Sequence, residues 1–281
     1  MKKFVAVLLS LVLSLTLVSA LADTVTIAVP NDPTNEGRAL LLLEGAGVIT
    51  LNEDATLTAT KNDIASYAVD IEIVEVEAAL VPSVLVDVDY AIINNNYALE
   101  AGLNPVEQGL LIEDAESPYV NVISVKEGNE DTPEAKALAA ALESQQVADF
   151  INETYAGSAV STVAEPTDGY DPDVDYDALN GATIAIVASP VPHAEVLEIA
   201  KEILAAKGIT LDIIVVTDYI TPNTIVEDGD AFANYFAHQP YQDNFNEENG
   251  THLVTIAGIH VEPMALYGGQ QSDLAALGIA D

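Results

Sequence analysis

Arg38 is the only arginine in a chain of 281 residues that carries 7 lysines and 45 acidic groups. It falls early in a segment that reads as a helix. There a guanidinium fork can hold a carboxylate through two parallel hydrogen bonds, and the helix start adds favourable partial charge. At an effective dielectric near 20 such a contact is worth about 4 kcal/mol before desolvation. A surface ion pair with one of the many acids is the competing reading. A second grouping is aromatic: Tyr219, Phe236, His238 and Tyr241 stand among prolines and amides, and four of the 16 Phe and Tyr residues fall between positions 235 and 245. Such rings suit a thioether or another apolar side chain, with sulfur–aromatic contacts worth about 0.3–1.5 kcal/mol. Ordinary core packing is the alternative. Together the two groupings could recognise a small zwitterion, which needs a cation for its carboxylate, oxygen acceptors for its ammonium and an apolar wall for its side chain.

Catalytic motifs are absent. The chain has no Gly-x-Ser-x-Gly elbow, no Gly-x-x-x-x-Gly-Lys-Ser/Thr loop and no His-Glu-x-x-His. No enzyme activity, metal or cofactor is therefore expected. The four histidines, His193, His238, His252 and His260, lack zinc-site spacing. Zero cysteines excludes disulfides, thiolate metal sites and attachment of a lipid through an N-terminal cysteine. A net charge of −37 repels nucleic acid and anionic lipid and reads as a solvated acidic coat.

Lys2 and Lys3 precede an almost uninterrupted apolar run over residues 4–18, and Ala20-Leu21-Ala22 supplies small residues for cleavage. Residues 1–22 thus read as a signal peptide, with the mature chain starting near Asp23 and the protein exported to a periplasmic or cell-surface location. An uncleaved membrane-associated segment is the alternative.

The elements that must position these residues follow from hydropathy period and turn chemistry. Residues 24–29 read as a strand running into a Pro-Asn-Asp-Pro turn and a helix through Arg38 that stops at Gly45 and Gly47. Strands are expected at 69–76 and 90–93, with helical turns at 78–85 between them and one or two helices over 132–155. Residues 164–178 hold Glu165, five aspartates, two prolines and hardly any apolar residues, which reads as a linker. Beyond it, a strand at 183–187, a helix stripe through Val196, Ile199, Ala200, Ile203 and Leu204, and a strand at 211–216 make a βαβ unit. Two α/β lobes are expected, with a single larger doubly wound domain as the alternative.

Several stretches resemble the NlpA lipoprotein family, the methionine-binding proteins of ABC importers: AVPNDPTNEGRALLLL at 28–43, DYAIINNNYAL at 89–99, SPYVN at 117–121, ASPVPHAE at 188–195, DYITPN at 218–223 and FAHQPY at 236–241. Their order is exchanged relative to the family, whose first part resembles 183–267 here and whose second part resembles 24–163. The resemblance thus implies a two-lobed periplasmic-binding-protein fold, type II-like and circularly permuted, with 164–178 joining the family's usual ends. Surface loops and neighbouring termini make such a rearrangement tolerable. The implied organisation is one lobe of residues 23–93 plus 263–281, another of 98–262, and a hinge near 94–97 and 263. On the same basis Tyr219, Phe236, His238 and Tyr241 would enclose a ligand side chain from one side of a cleft. Asn35, Arg38, Asn94 and Asn96 would come from the other side or the hinge, with Arg38 on the ligand carboxylate. The implied function is capture of L-methionine or a close relative, by a monomer, for an importer's membrane permease. A surface or structural protein retaining the fold is the alternative. Leu80 and Ser83 depart from the family pattern, which usually has Gln and Arg there.

Overall fold

The computed structural model describes residues 24–114 and 117–279, so the expected signal segment lies outside the described residues. Its strands are β1 (Val25–Pro30), β2 (Ile49–Leu51), β3 (Ile64–Tyr67), β4 (Ile71–Val76), β5 (Tyr90–Ile93), β6 (Gly109–Ile112), β7 (Val120–Lys126), β8 (Val160–Ser161), β9 (Thr183–Ala188), β10 (Thr210–Val215), β11 (Ala233–His238), β12 (Leu253–Val261) and β13 (Ala265–Gly268). The α-helices are α1 (Pro33–Gly45), α2 (Val81–Val84), α3 (Asn95–Glu100), α4 (Pro105–Gln108), α5 (Pro133–Leu142), α6 (Gln145–Tyr155), α7 (Tyr176–Leu179), α8 (Glu195–Ala205), α9 (Thr221–Asp228) and α10 (Gln239–Asn249).

Two mixed sheets organise the chain. The first runs β4-β1-β5-β13-β6 and the second β10-β9-β11-β7-β12-β8, while β2 and β3 form a small ribbon. The expected βαβ unit is present, with β9 and β10 parallel from Thr183 opposite Thr210 to Ala188 opposite Val215. Each sheet has its own core. Ile27, Val29, Ile73, Ile92 and Leu266 pack with Leu40 and Leu43 of α1. Ile123, Ile186 and Tyr235 pack with Leu138, Leu142, Ile151, Val196 and Leu204. Fully burying one such aliphatic side chain contributes about 1.5–3 kcal/mol, so both stripes read from the sequence are consumed by packing.

Helix α1 starts where its turn chemistry dictates. Asp32 caps it by accepting from Asn35 N at 3.0 Å, and Pro33 occupies the first turn, where a missing N–H costs nothing. Gly37 is required on this helix because a Cβ there would lie 2.3 Å from the Leu57 carbonyl oxygen. Two irregularities in the second sheet aim side chains. Between Tyr235 and His238, strand β11 carries one residue more than its partner β7, and β12 does the same between Gly258 and His260. Such bulges redirect the residues that follow them.

Strand pairing and packing describe the expected hinge and linker regions. The chain does not leave the first sheet near 94–97. Gly109–Ile112 pairs with β13, so the passage between sheets falls after Ile112, and the return follows Val261, beside the expected hinge at 263. The physical reason is that Leu110 and Leu111 pack against the first core. The linker expected at 164–178 is packed against the second core. Its larger apolar residues are used: Val174 is buried in the second core, with Tyr170 and Tyr176 packed against it. Lys207 Nζ sits 4.3 Å over the Tyr170 ring and 5.3 Å over Tyr176, and Tyr170 donates to the Ile203 carbonyl at 3.2 Å. Thr167 exchanges main-chain hydrogen bonds with Glu143 and Gln145. Among the described residues, no helix is long and apolar enough to cross a membrane.

Candidate ligand-binding site

All eight side chains singled out from the sequence line one cavity between the two sheets. Asn35 and Arg38 come from the first turns of α1, Asn94 and Asn96 from the start of α3, Tyr219 from the loop after β10, Phe236 and His238 from β11, and Tyr241 from α10. Seven of them are buried and Tyr219 is partly so.

A relay of polar contacts joins the sheets across this cavity. Tyr241 N donates to His238 Nδ1 at 3.1 Å, which leaves the imidazole proton on Nε2, 3.0 Å from Asn35 Oδ1. Asn94 Nδ2 donates to the same oxygen at 2.7 Å, and Asn35 Nδ2 donates to the Asp32 carboxylate at 2.9 Å. Burial, and next the positive charge of Arg38, push the His238 imidazole well below its ordinary value, so it serves as a neutral donor. Tyr219 donates to Asn96 Oδ1 at 2.6 Å, and Tyr241 donates to the Tyr219 carbonyl at 2.7 Å. The aromatic wall is contiguous: Tyr219 lies 5.9 Å from Phe236 and 5.7 Å from Tyr241, ring centre to ring centre.

Arg38 combines the two readings offered for it. Its Nε and Nη2 grip the Glu113 carboxylate, with Nε 3.1 Å from each oxygen, and Nη2 also donates to the Glu262 carbonyl at 2.7 Å. The guanidinium lies 4.4 Å from the centre of the Tyr119 ring. Nη1 makes no hydrogen bond among the described residues, while the side chain lines the cavity. Three buried amide atoms of cavity-lining residues have no hydrogen-bond partner among the described residues: Asn94 Oδ1, Asn95 Oδ1 and Asn96 Nδ2. A buried amide group left unmet costs about 1–3 kcal/mol, so a polar ligand completing these contacts recovers that cost.

Three polar lining residues were missed: Asn95, Asn121 and Glu262. Asn95 stands within an Asn-Asn-Asn run and Asn121 within SPYVN, so their neighbours carried the only available signal. Glu262 was one acid among 45. It heads a buried network unrelated to sequence spacing. His260 Nε2 lies 2.9 Å and His193 Nε2 3.3 Å from Glu262 Oε1, and Asn95 Nδ2 donates to Oε2 at 3.2 Å. Tyr235 pairs with His260 Nδ1 at 2.5 Å, and His193 Nε2 lies 3.0 Å from Asn121 Oδ1. Burial lowers the His193 imidazole to about 3, leaving it neutral near neutral pH. Burial works against the Glu262 anion, but His193, His260 and Asn95 hold its carboxyl below the ordinary value. One atom from each of His193, His260 and Glu262 lies within 4.8 Å of the others, a spacing a metal ion could use. However, a ligating imidazole ordinarily donates its second N–H, and His193 Nδ1 has no partner among the described residues. The trio therefore reads as a hydrogen-bond network around a carboxylate.

The profile of the family described as NlpA lipoprotein matches residues 14–163 and 184–279. The chain is 45% identical over 130 residues to the "Probable D-methionine-binding lipoprotein MetQ" of Pasteurella multocida, covering 46% of this chain and 47% of that protein. It is 44% identical over 140 residues to "Outer membrane lipoprotein 3" of Mannheimia haemolytica, covering 50% and 53%. Among solved structures, a nutrient binding protein from Burkholderia cenocepacia bound to methionine is 44% identical, covering 50% of this chain and 61% of that one at a TM-score of 0.47. The chain spans about half the length of the relatives it matches. The two profile matches together take in most of the 281 residues, including every side chain of the predicted site, and on that ground the chain belongs to the NlpA lipoprotein family.

Proposed function

We propose that this protein is an exported solute-binding protein that captures L-methionine or a close relative for an ABC importer, with Asn35, Arg38, Asn94, Asn96, Tyr219, Phe236, His238 and Tyr241 as its ligand-binding residues. The family is one of binding proteins rather than enzymes. The observation that carries the reading is the cavity: an arginine whose Nη1 makes no hydrogen bond among the described residues, unmet amide groups and a wall of aromatic rings converge from α1, α3, β11 and α10. An amino acid with an apolar side chain is the small ligand that answers all three. Relatives named as D-methionine-binding lipoproteins support methionine within that class. In this reading the two sheets are the lobes, and the passages after Ile112 and Val261 are the strands of a hinge about which they close.

We also propose that the chain is circularly permuted. The family profile leaves 164–183 unmatched between its two blocks, and individual relatives align with only about half of the chain. Isothermal calorimetry of the purified protein with methionine, backed by native mass spectrometry, tests the function. One saturable site is expected. Absence of saturable binding to any amino acid or short methionine peptide overturns the reading.

A further inference from the structure

We infer that a second cavity, bounded by the later turns of α1, by Leu57 and by the chain at Leu111 to Asp114 and Ser117 to Tyr119, is a further binding site. It takes an uncharged apolar molecule that carries one hydroxyl group, such as an aromatic alcohol.

The cavity encloses about 490 Å3, inside the range of roughly 300–1,000 Å3 that small-molecule sites occupy. Among the described residues, Arg38 is the one that lines both this cavity and the one between the sheets, so the two are neighbours with otherwise separate walls. Leu41, Leu42, Leu57, Leu111 and Ile112 form an apolar lining. Two of them, Leu57 and Ile112, are left 41% and 44% exposed. A ligand that covers such surface in a concave place removes it from water, which is favourable in proportion to the area covered.

Polar groups in the wall specify the ligand's class. Tyr119 is 3% exposed, and its hydroxyl has no hydrogen-bond partner among the described residues. Burial pushes that hydroxyl up to about 12, so it keeps its proton and both donates and accepts. Glu113 Oε1 accepts from Arg38 Nε alone among the described residues, at 3.1 Å, which leaves it room for a second donor. A ligand hydroxyl, donor and acceptor in one group, answers both. Charge argues against an ion. Arg38 and Glu113 neutralise one another in the wall, Asp114 adds negative charge to the lining, and the whole chain stands at −37. That balance repels an anion, and a cation finds Glu113 already matched by Arg38.

The probe is 1-naphthol, titrated into the purified full chain and followed by its own fluorescence, which a chain without tryptophan does not obscure. One saturable site is expected, and it persists in excess methionine. The anion 1-naphthoate is expected to bind at least about tenfold more weakly. Gly45 ends α1 and lines the cavity, and a Cβ there would meet nothing within 4 Å, so Gly45→Phe fills the space without strain. This variant is expected to weaken 1-naphthol at least about tenfold with methionine affinity unchanged. Tyr119→Phe is expected to weaken 1-naphthol about 3–10-fold, the worth of one hydrogen bond, and 1-methylnaphthalene less than about twofold. Circular dichroism verifies that each variant folds; if Gly45→Phe does not, Leu57→Asp takes its place, with a loss of at least about fivefold expected. Absence of saturable 1-naphthol binding, or binding that the wall variant leaves unchanged, overturns the site. Displacement of the probe by methionine together with its loss in Phe236→Ala puts the probe between the sheets and overturns the site as well. Equal weakening of 1-naphthol and 1-methylnaphthalene by Tyr119→Phe, or 1-naphthoate binding as tightly as 1-naphthol, overturns the ligand class. A wild type that binds no amino acid overturns the reading of the first cavity, while the same variants still decide the second.

Discussion

At the scale of single residues, the sole arginine carries two obligations. Arg38 is 4% exposed and its fork grips Glu113, so removing it leaves a partly buried carboxylate alone as well as depriving the cavity of its cation. Breaking one partner of a buried pair costs about 3–5 kcal/mol, whereas removing both is often nearly neutral. Arg38→Ala is therefore expected to lower the melting temperature and to weaken methionine binding at least tenfold. The double variant Arg38→Ala with Glu113→Gln should recover most of the melting temperature and none of the affinity. Thermal melting and calorimetry on both variants separate the two roles. An unchanged affinity in Arg38→Ala removes it from the site.

At the scale of elements, the acidic stretch between the two halves of the sequence behaves as a packed segment. Gly169, at φ +91°, runs so close to α8 that a Cβ would meet Ile203 Cγ2 at 2.9 Å, and the stretch goes on to bury Val174. A charge at Val174 would be buried without a partner. Val174→Asp is expected to destabilise the protein by about 2–4 kcal/mol in urea unfolding, with the methionine affinity of the folded protein unchanged. A substitution in a loose tether would cost less than about 0.5 kcal/mol, so a null result refutes the packing role. Composition hid this, because five aspartates outweigh one valine and two tyrosines in any average, while docking needs only those three and a lysine above the rings.

At the scale of the whole molecule, pH acts through buried groups against a background charge of −37. His193 has a folded value of about 3 against an ordinary 6.5, because burial disfavours the imidazolium. A group depressed on folding gives stability that is fully present above its unfolded value and lost as pH falls. His193 thus withdraws support from pH 6.5 down through about 3, on the order of 5 kcal/mol in all. Glu262, His260, Asn121 and Tyr235 face it. Glu36 works in the opposite sense. Burial raises it to about 7, so its contribution is present below 4.5 and lost as pH rises through 7. Wild-type melting temperature is expected to fall more steeply between pH 6.5 and 3 than that of His193→Asn. Parallel curves for the two proteins would show that His193 does not govern acid sensitivity.

Turn chemistry and hydropathy period set the cap at Asp32, the helix bearing Arg38, the strand at 90–93 and the βαβ unit around α8, because each depends on residues near one another in the chain. The motifs likewise made eight cavity residues legible. What the sequence left open depends on long-range pairing. Gly109–Ile112 joins the first sheet only because β13 offers it an edge, and His193, His260 and Glu262 meet only because strands distant in sequence lie side by side and a bulge turns β12 inward. Whether Arg38 is free or paired was settled in the same way, by a glutamate 75 residues away that no local pattern marks. Local sequence fixes conformation and face through short-range sterics and burial, whereas the partners of a buried charge are chosen by which surfaces the tertiary fold brings together.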